Sequence, residues 1–218
     1  MIDFNKLIDE YVYREHKPKD IGRYYPSEVG MCVRKVWYSY KFPKQLKTDV
    51  LKIFEMGDIL HDFIVRVLRS GKIKDIELLK WELPFKLQME NFLISGRVDD
   101  VLLIKTNGKT VLAEIKSSGM LRAVKKPQKH HVMQLQVYMH ATGIHNGILL
   151  YLEKNTLQAK IFTIDFDENI VREALDRFKE LHECLITNNI PSAEARINRS
   201  DIGWMCRYCE YKEKCDKE

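Results

Sequence analysis

No apolar run among these 218 residues approaches the length of a membrane span, so no transmembrane helix is expected. The opening stretch, MIDFNKLIDE, lacks a basic segment followed by an apolar one. No secretory signal is therefore expected, and the chain reads as cytoplasmic. Internal repeats and low-complexity tracts are missing as well. Apolar content is not: hydrophobic residues make up 45% and charged residues 31%, which excludes a disordered tail protein. The length suffices for one buried core. Disulfides are not expected in a reducing compartment, so the five cysteines read as thiols or metal ligands.

One absence is local. From Ile115 to Leu152 there is no Asp or Glu, while Lys116, Arg122, Lys125, Lys126, Lys129 and four histidines fall in that interval. Residues 14–47 are also rich in Arg and Lys. A net charge of only +5 thus hides two basic stretches of the kind a nucleic-acid groove needs. Tyr24, Tyr25, Trp37 and Tyr38 interleave with the second stretch. Such rings either stack unpaired bases or fill the core. Trp37, at helical spacing with Val33, reads as core.

Hydrophobic periodicity predicts helices over 3–15, from Pro26-Ser27 to Pro43, and over 49–69. The period then becomes two. Leu79, Trp81, Leu83, Phe85, Leu87 and Met89 alternate with polar residues and Pro84, predicting a half-buried edge strand. Strands are expected at 92–104 and 110–116, joined by hairpin chemistry at Thr106-Asn107-Gly108. A helix at 128–142, strands at 147–153 and 157–164, a helix at 168–187 and an irregular tail follow. The fold class is α/β, with helices around a central mixed sheet.

The central hairpin carries the chemistry. Its strands read GRVDDVLLI and TVLAEIKSSG. Glu114 and Lys116 are two apart and share a face, and the turn brings Asp99 alongside Glu114. Paired carboxylates offer hard oxygen ligands for Mg2+ or Mn2+. Such a cation polarises a phosphodiester and acidifies its bound water. A lysine beside it offsets charge building on the phosphorane. An isolated E-x-K is more often a salt-bridged, solvated face; Gly96, which permits close backbone approach, narrows the reading here. His61 lies in GDILH, and Gln134 and Tyr138 are four apart on the next helix, with His131 on the same face.

Cys206, Cys209 and Cys215 form C-x2-C-x5-C near the end of the chain. Three thiolates need a fourth ligand for a tetrahedral site or a four-iron cluster, and Cys32 and Cys184 are the candidates. Spacing does not choose between iron–sulfur and zinc.

The order G-x-x-x-H (Gly57–His61), G-x-x-D (Gly96–Asp99), E-x-K (Glu114–Lys116), Q-x-x-x-Y (Gln134–Tyr138) resembles the RecB-like branch of the PD-(D/E)XK nucleases. With a cysteine in SEVGMCVRKVWYSY and the terminal cysteine group, it resembles the CRISPR-associated exonuclease family, from Cys32 to Cys215. The resemblance implies one nuclease domain over 1–218: a helical part (1–70), a nuclease core (71–187) and a cysteine-cluster tail (188–218). It implies Mn2+ or Mg2+ held by His61, Asp99, Glu114 and the backbone carbonyl of Ile115. Lys116 would be the catalytic lysine, with Gln134 and Tyr138 supporting site and strand. It also implies a 4Fe-4S cluster on Cys32, Cys206, Cys209 and Cys215, in preference to zinc. Arg34 and Lys35 beside Cys32 would offset thiolate charge, whereas Cys184 lies in an apolar helical pattern. The expected activity is metal-dependent exonuclease action on single-stranded DNA or DNA ends, 5′ to 3′. The expected setting is spacer-precursor processing during CRISPR adaptation, with CRISPR integrase proteins as partners and no membrane. The rivals are a viral or repair exonuclease of the same superfamily and a non-catalytic DNA-binding module with a structural metal centre.

Overall fold

Helix α1 (Phe4–Val12) begins where Asp3 caps it, its side chain accepting the Lys6 N–H. The computed structural model describes residues 2–15, 17–198 and 202–218. Strand β1 (Arg23–Tyr24) is followed by a 3-10 turn (Pro26–Glu28) and helix α2 (Val33–Lys41). The single helix expected from Pro26 onward is thus two pieces. Gly30 marks the break, and a Cβ there would meet His130 backbone and side chain at 2.4 Å. Helix α3 (Thr48–Arg69) precedes the hairpin strands β2 (Ile76–Gln88), β3 (Leu93–Ile104) and β4 (Lys109–Ser118).

Helix α4 (Lys129–Thr142) crosses from β4 to β5 (Asn146–Glu153), which pairs parallel to β4. Strand β6 (Ala159–Asp165) closes the antiparallel edge, and α5 (Glu168–Ile186) is capped by Asp167. The sheet runs β1-β3-β4-β5-β6, with β2 antiparallel on β3. Pro84 sits in β2, where its missing N–H costs no sheet bond on the outer side. The two-residue alternation of β2 holds from Leu83 to Leu87 but not upstream. A bulge between Leu78 and Lys80 shifts the register, so upstream of it Ile76 and Leu78 turn inward while Leu79 is exposed; Trp81, opposite Asp100, is exposed as well.

Helix α4 packs on the sheet through Leu135, Tyr138 and Met139, against Val98, Leu112 and Leu149. A second apolar cluster joins Tyr24 and Ile94 to α2 and α5 through Val33, Trp37, Phe178 and Leu181. The tail is more ordered than expected: it forms α6 (Glu194–Ile197), α7 (Trp204–Arg207) and α8 (Lys212–Cys215). No helix among the described residues is long and apolar enough to cross a membrane.

Candidate active site and cysteine-lined cavity

Strands β3 and β4 run antiparallel with Asp100 opposite Ala113, and beyond that pair Asp99 reaches the level of Glu114. The Ile115 N–H donates to Asp99 Oδ2 at 2.8 Å. That bond orients the Ile115 peptide beside the carboxylates. Lys116 Nζ lies 2.6 Å from Glu114 Oε1. Gln134, one turn before Tyr138 on α4, ties the group together. Its Nε2 donates to Glu114 Oε1 and to the Tyr138 hydroxyl, each at 2.8 Å, and its Oε1 accepts from Lys116 Nζ at 3.1 Å. Asp99, Glu114, Ile115, Lys116, Gln134, Tyr138 and His61 all line one cleft of about 1030 Å³.

Glu114 is 1% exposed, and its Oε2 has no hydrogen-bond partner. Burial, with the Asp99 charge beside it, pushes its carboxyl up to about 8. Burial raises Asp99 too, against the opposing pull of Lys116 and the Ile115 N–H. Burial disfavours the Lys116 charge, but Glu114 and Asp99 outweigh it and hold its pKa raised. Two carboxylates that resist ionisation, one of them buried with an oxygen unsatisfied, fit a divalent cation: a double positive charge would supply the missing partner. Among the described residues no three His, Cys, Asp or Glu side chains already converge as a closed metal cage.

Gly96 sits under this cleft. A Cβ there would meet Pro26 Cδ at 3.1 Å and Phe85 Cε1 at 3.3 Å, so the close approach expected of it is real. Two other expectations change. His131 leaves the group: its Nδ1 hydrogen-bonds the Tyr151 hydroxyl at 2.8 Å, and burial lowers its pKa. The acid-free interval contributes only Lys116 among its lysines and arginines to the cleft. Lys129 instead pairs with Glu173 at 2.7 Å.

The other cations of the cleft are Arg23, Lys86 and Arg97, drawn from three strands. Arg23 belongs to the basic stretch 14–47, whereas Lys86 and Arg97 are missed in the sequence because no charge run contains them. Arg23 is held by Ser95 Oγ at 2.9 Å, and Arg97 is 3.1 Å from Glu82. The aromatics of the basic stretch divide. Tyr24, Trp37 and Tyr38 are core residues, whereas Tyr25 lines the cleft with half-exposed Phe54. Tyr24 and Tyr25 part company because successive residues of an extended chain face opposite ways.

A second cavity, of about 350 Å³, is lined by Cys32, Cys206, Cys209 and Cys215 together with Arg34, Lys35, Arg196 and Lys212. Cys184 is elsewhere, half-buried on α5 against the α2 cluster, and its carbonyl accepts from Trp37 Nε1. Cys32 is the N-cap residue of α2 but makes no side-chain cap bond. Glu194 from the tail takes that place, accepting the Val33 N–H at 2.8 Å, so the Cys32 thiol is left to the cavity. Burial raises the Cys206 and Cys209 thiols, with Cys32 close enough to add to both. Arg34 Nη1 stands 3.8 Å from Cys215 Sγ. Four thiols with cations around them suit a thiolate-held metal centre.

A sheet that presents an acid pair and a lysine from adjoining strands, with a supporting Gln-Tyr helix, defines a class of phosphodiester hydrolases. The chain belongs to the PD-(D/E)XK nuclease superfamily, whose family model matches residues 13–216. It is 27% identical over 201 residues to the CRISPR-associated exonuclease Cas4 of Saccharolobus solfataricus, covering 90% of this chain and 89% of that one. Its fold is similar to the crystal structure of SSO0001, with TM-score 0.59 and 24% identity over 95% of this chain and 90% of that chain. It is also similar to an alkaline exonuclease from Laribacter hongkongensis, with TM-score 0.51 and 15% identity over 78% of this chain and 90% of that one.

Proposed function

We propose that this nuclease is a divalent-metal-dependent exonuclease that degrades single-stranded DNA from an end. The observation that carries the reading is the Asp99–Glu114 pair, in which Glu114 is buried with one oxygen unsatisfied, with Lys116 against it in an open cleft. Asp99, Glu114, His61 and the Ile115 carbonyl would hold Mn2+ or Mg2+. When bound, that cation supplies a Lewis acid and a water of lowered pKa. Lys116 contributes a fixed positive charge where negative charge builds on the phosphorus oxygens in the transition state. Gln134 holds Lys116 and Glu114 at their spacing, and the Tyr138 hydroxyl holds Gln134. Arg23, Lys86 and Arg97 attract phosphates, and Tyr25 and Phe54 offer faces on which unpaired bases stack.

The relationship to a CRISPR-associated exonuclease supports a role in trimming spacer precursors from their 5′ ends, with CRISPR integrase proteins as partners. The four cysteines and their cationic rim support a structural 4Fe-4S centre that ties α2 to the tail. The test is digestion of single strands labelled at either end, with Mn2+ or with EDTA. Stepwise loss from the 5′ end in Mn2+ alone is expected. Undiminished activity in EDTA, or internal cuts on circular single strands, overturns the reading.

A further inference from the structure

Asp100 follows Asp99 on β3 and therefore points to the other side of the strand. It is fully buried, and neither of its carboxylate oxygens has a hydrogen-bond partner. A buried carboxylate in that condition is costly unless a neighbour uses its charge. Lys116, the cation nearest the acid pair, is taken by Glu114 and Gln134. Asp100 is not among the residues that line the cleft, which argues against its touching substrate or cation. What it faces is His61. The ring nitrogen Nε2 of His61 lies 3.5 Å from Asp100 Oδ1 and is itself buried and unpartnered. Helix α3 fixes only the backbone of His61; its ring has two torsions still to be set. A carboxylate behind one nitrogen sets them and decides which nitrogen is offered forward.

We propose that Asp100 is a positioning residue that engages one ring nitrogen of His61 and so turns the other toward the Asp99–Glu114 pair. This rests on the reading of His61 as a cation ligand. Its role is thus to act through His61.

The test is Mn2+ binding to the DNA-free protein, followed by the electron paramagnetic resonance signal of free Mn2+. Four proteins are compared: wild type, Asp100→Asn, His61→Ala and the double variant. Asp100→Asn should bind Mn2+ roughly 10- to 100-fold more weakly, the usual loss for a carboxylate behind a ligand histidine. The double variant should bind no more weakly than His61→Ala. Wild-type affinity in Asp100→Asn, with His61→Ala impaired, overturns the proposal alone. So does a double variant whose loss is the full product of the two singles, because Asp100 then acts independently of His61. Wild-type affinity in His61→Ala overturns the ligand reading and the proposal with it. If Asp100→Asn does not fold, nitrogen-15 spectra of the wild-type histidines decide. With Mg2+ bound, the neutral His61 ring should sit in one tautomer with its N–H protected from exchange, and a ring that averages freely between tautomers overturns the proposal.

Discussion

The cleft and the cysteine-lined cavity reach their geometry by different means. In the cleft, Asp99, Glu114 and Lys116 come from two strands joined by a short turn, and the sheet's backbone hydrogen bonds set their spacing. Gln134 adds a bridge from α4. The cavity instead joins the two ends of the chain. Cys32 comes from the start of α2, and its three companions come from a tail whose helices are four residues long. Helices so short have little stability of their own. A few polar ties anchor the tail: Glu194 to the Val33 N–H and to Arg177, and Arg34 Nε to the Pro191 carbonyl at 2.7 Å. Its apolar contacts are a small cluster with Cys32, Ala195 and Met205 as buried members, and Tyr211, which is buried in the larger core cluster and stacks on Tyr38. One region is arranged by the sheet before any metal arrives. The other joins parts of the chain far apart in sequence, and a metal on its thiols would add a further tie between them.

The sharpest way to separate the two is Lys116→Ala. Turnover should fall on the order of a hundredfold or more, while melting temperature and DNA binding stay near wild type. A collapse of stability in that variant would mean that the cleft, too, depends on its charges for shape.

Next comes the cavity. Anaerobically purified protein should be brown, with the visible absorption of a Cys-ligated iron–sulfur cluster. Cys32→Ala should lose that absorption and lower the melting temperature by roughly 5–10 °C, as removal of a tie worth a few kcal/mol does in a chain of this size. Cys184→Ala should keep both. Stoichiometric zinc in colourless protein would replace the cluster but leave the four-ligand set standing. Metal lost from Cys184→Ala and kept by Cys32→Ala would reverse the assignment.

The basic residues offer a comparison within the cleft's own surroundings. Replacing Arg23, Lys86 and Arg97 with Gln should weaken single-strand binding and flatten its salt dependence by roughly 0.7 in log–log slope per lost contact. The same change at Lys125, Lys126 and Lys129, none of which lines the cleft, should do little. Binding curves at several salt concentrations measure both, and equal slopes in the two triple variants would remove the distinction.

The smallest effect is on the pH dependence of stability without metal. Glu114 is raised from 4.5 to about 8 in the folded chain. Between those values the folded state keeps a proton that the unfolded chain has released, so rising pH favours unfolding. His61, raised from 6.5 to about 9 chiefly by Asp100, acts in the same direction. Its stabilisation is complete below 6.5 and is lost as pH rises through about 9. Melting temperature in EDTA should therefore decline from pH 5 to 9 at constant ionic strength, and Glu114→Gln should flatten the acidic part of that decline. A curve that climbs toward pH 9 contradicts both shifts.

Local pattern reached far into this molecule. The hairpin, its E-x-K face, the Gln-Tyr pair one helical turn apart and the edge character of β2 follow from periods of two and 3.6 and from turn chemistry, all short-range. Other features were beyond it. A bulge at Leu79 inverts which residues face inward in the first part of β2, and nothing in an alternating pattern announces the slip. Asp100 reads as one more acid on a strand until its burial and the approach of α3 are seen.

The order of residues alone settled the α/β class, the strands that carry the acid pair and the lysine, and the grouping of three cysteines at one end, because periodicity and spacing act over a few residues. Tertiary packing decided which cations face the cleft, which of two adjacent tyrosines is core, and that Cys32 rather than Cys184 shares a cavity with the tail. Those outcomes depend on elements far apart in the chain meeting at particular angles. Side-chain facing across such meetings is fixed by the packing of whole helices on the sheet, and no local run of residues encodes it.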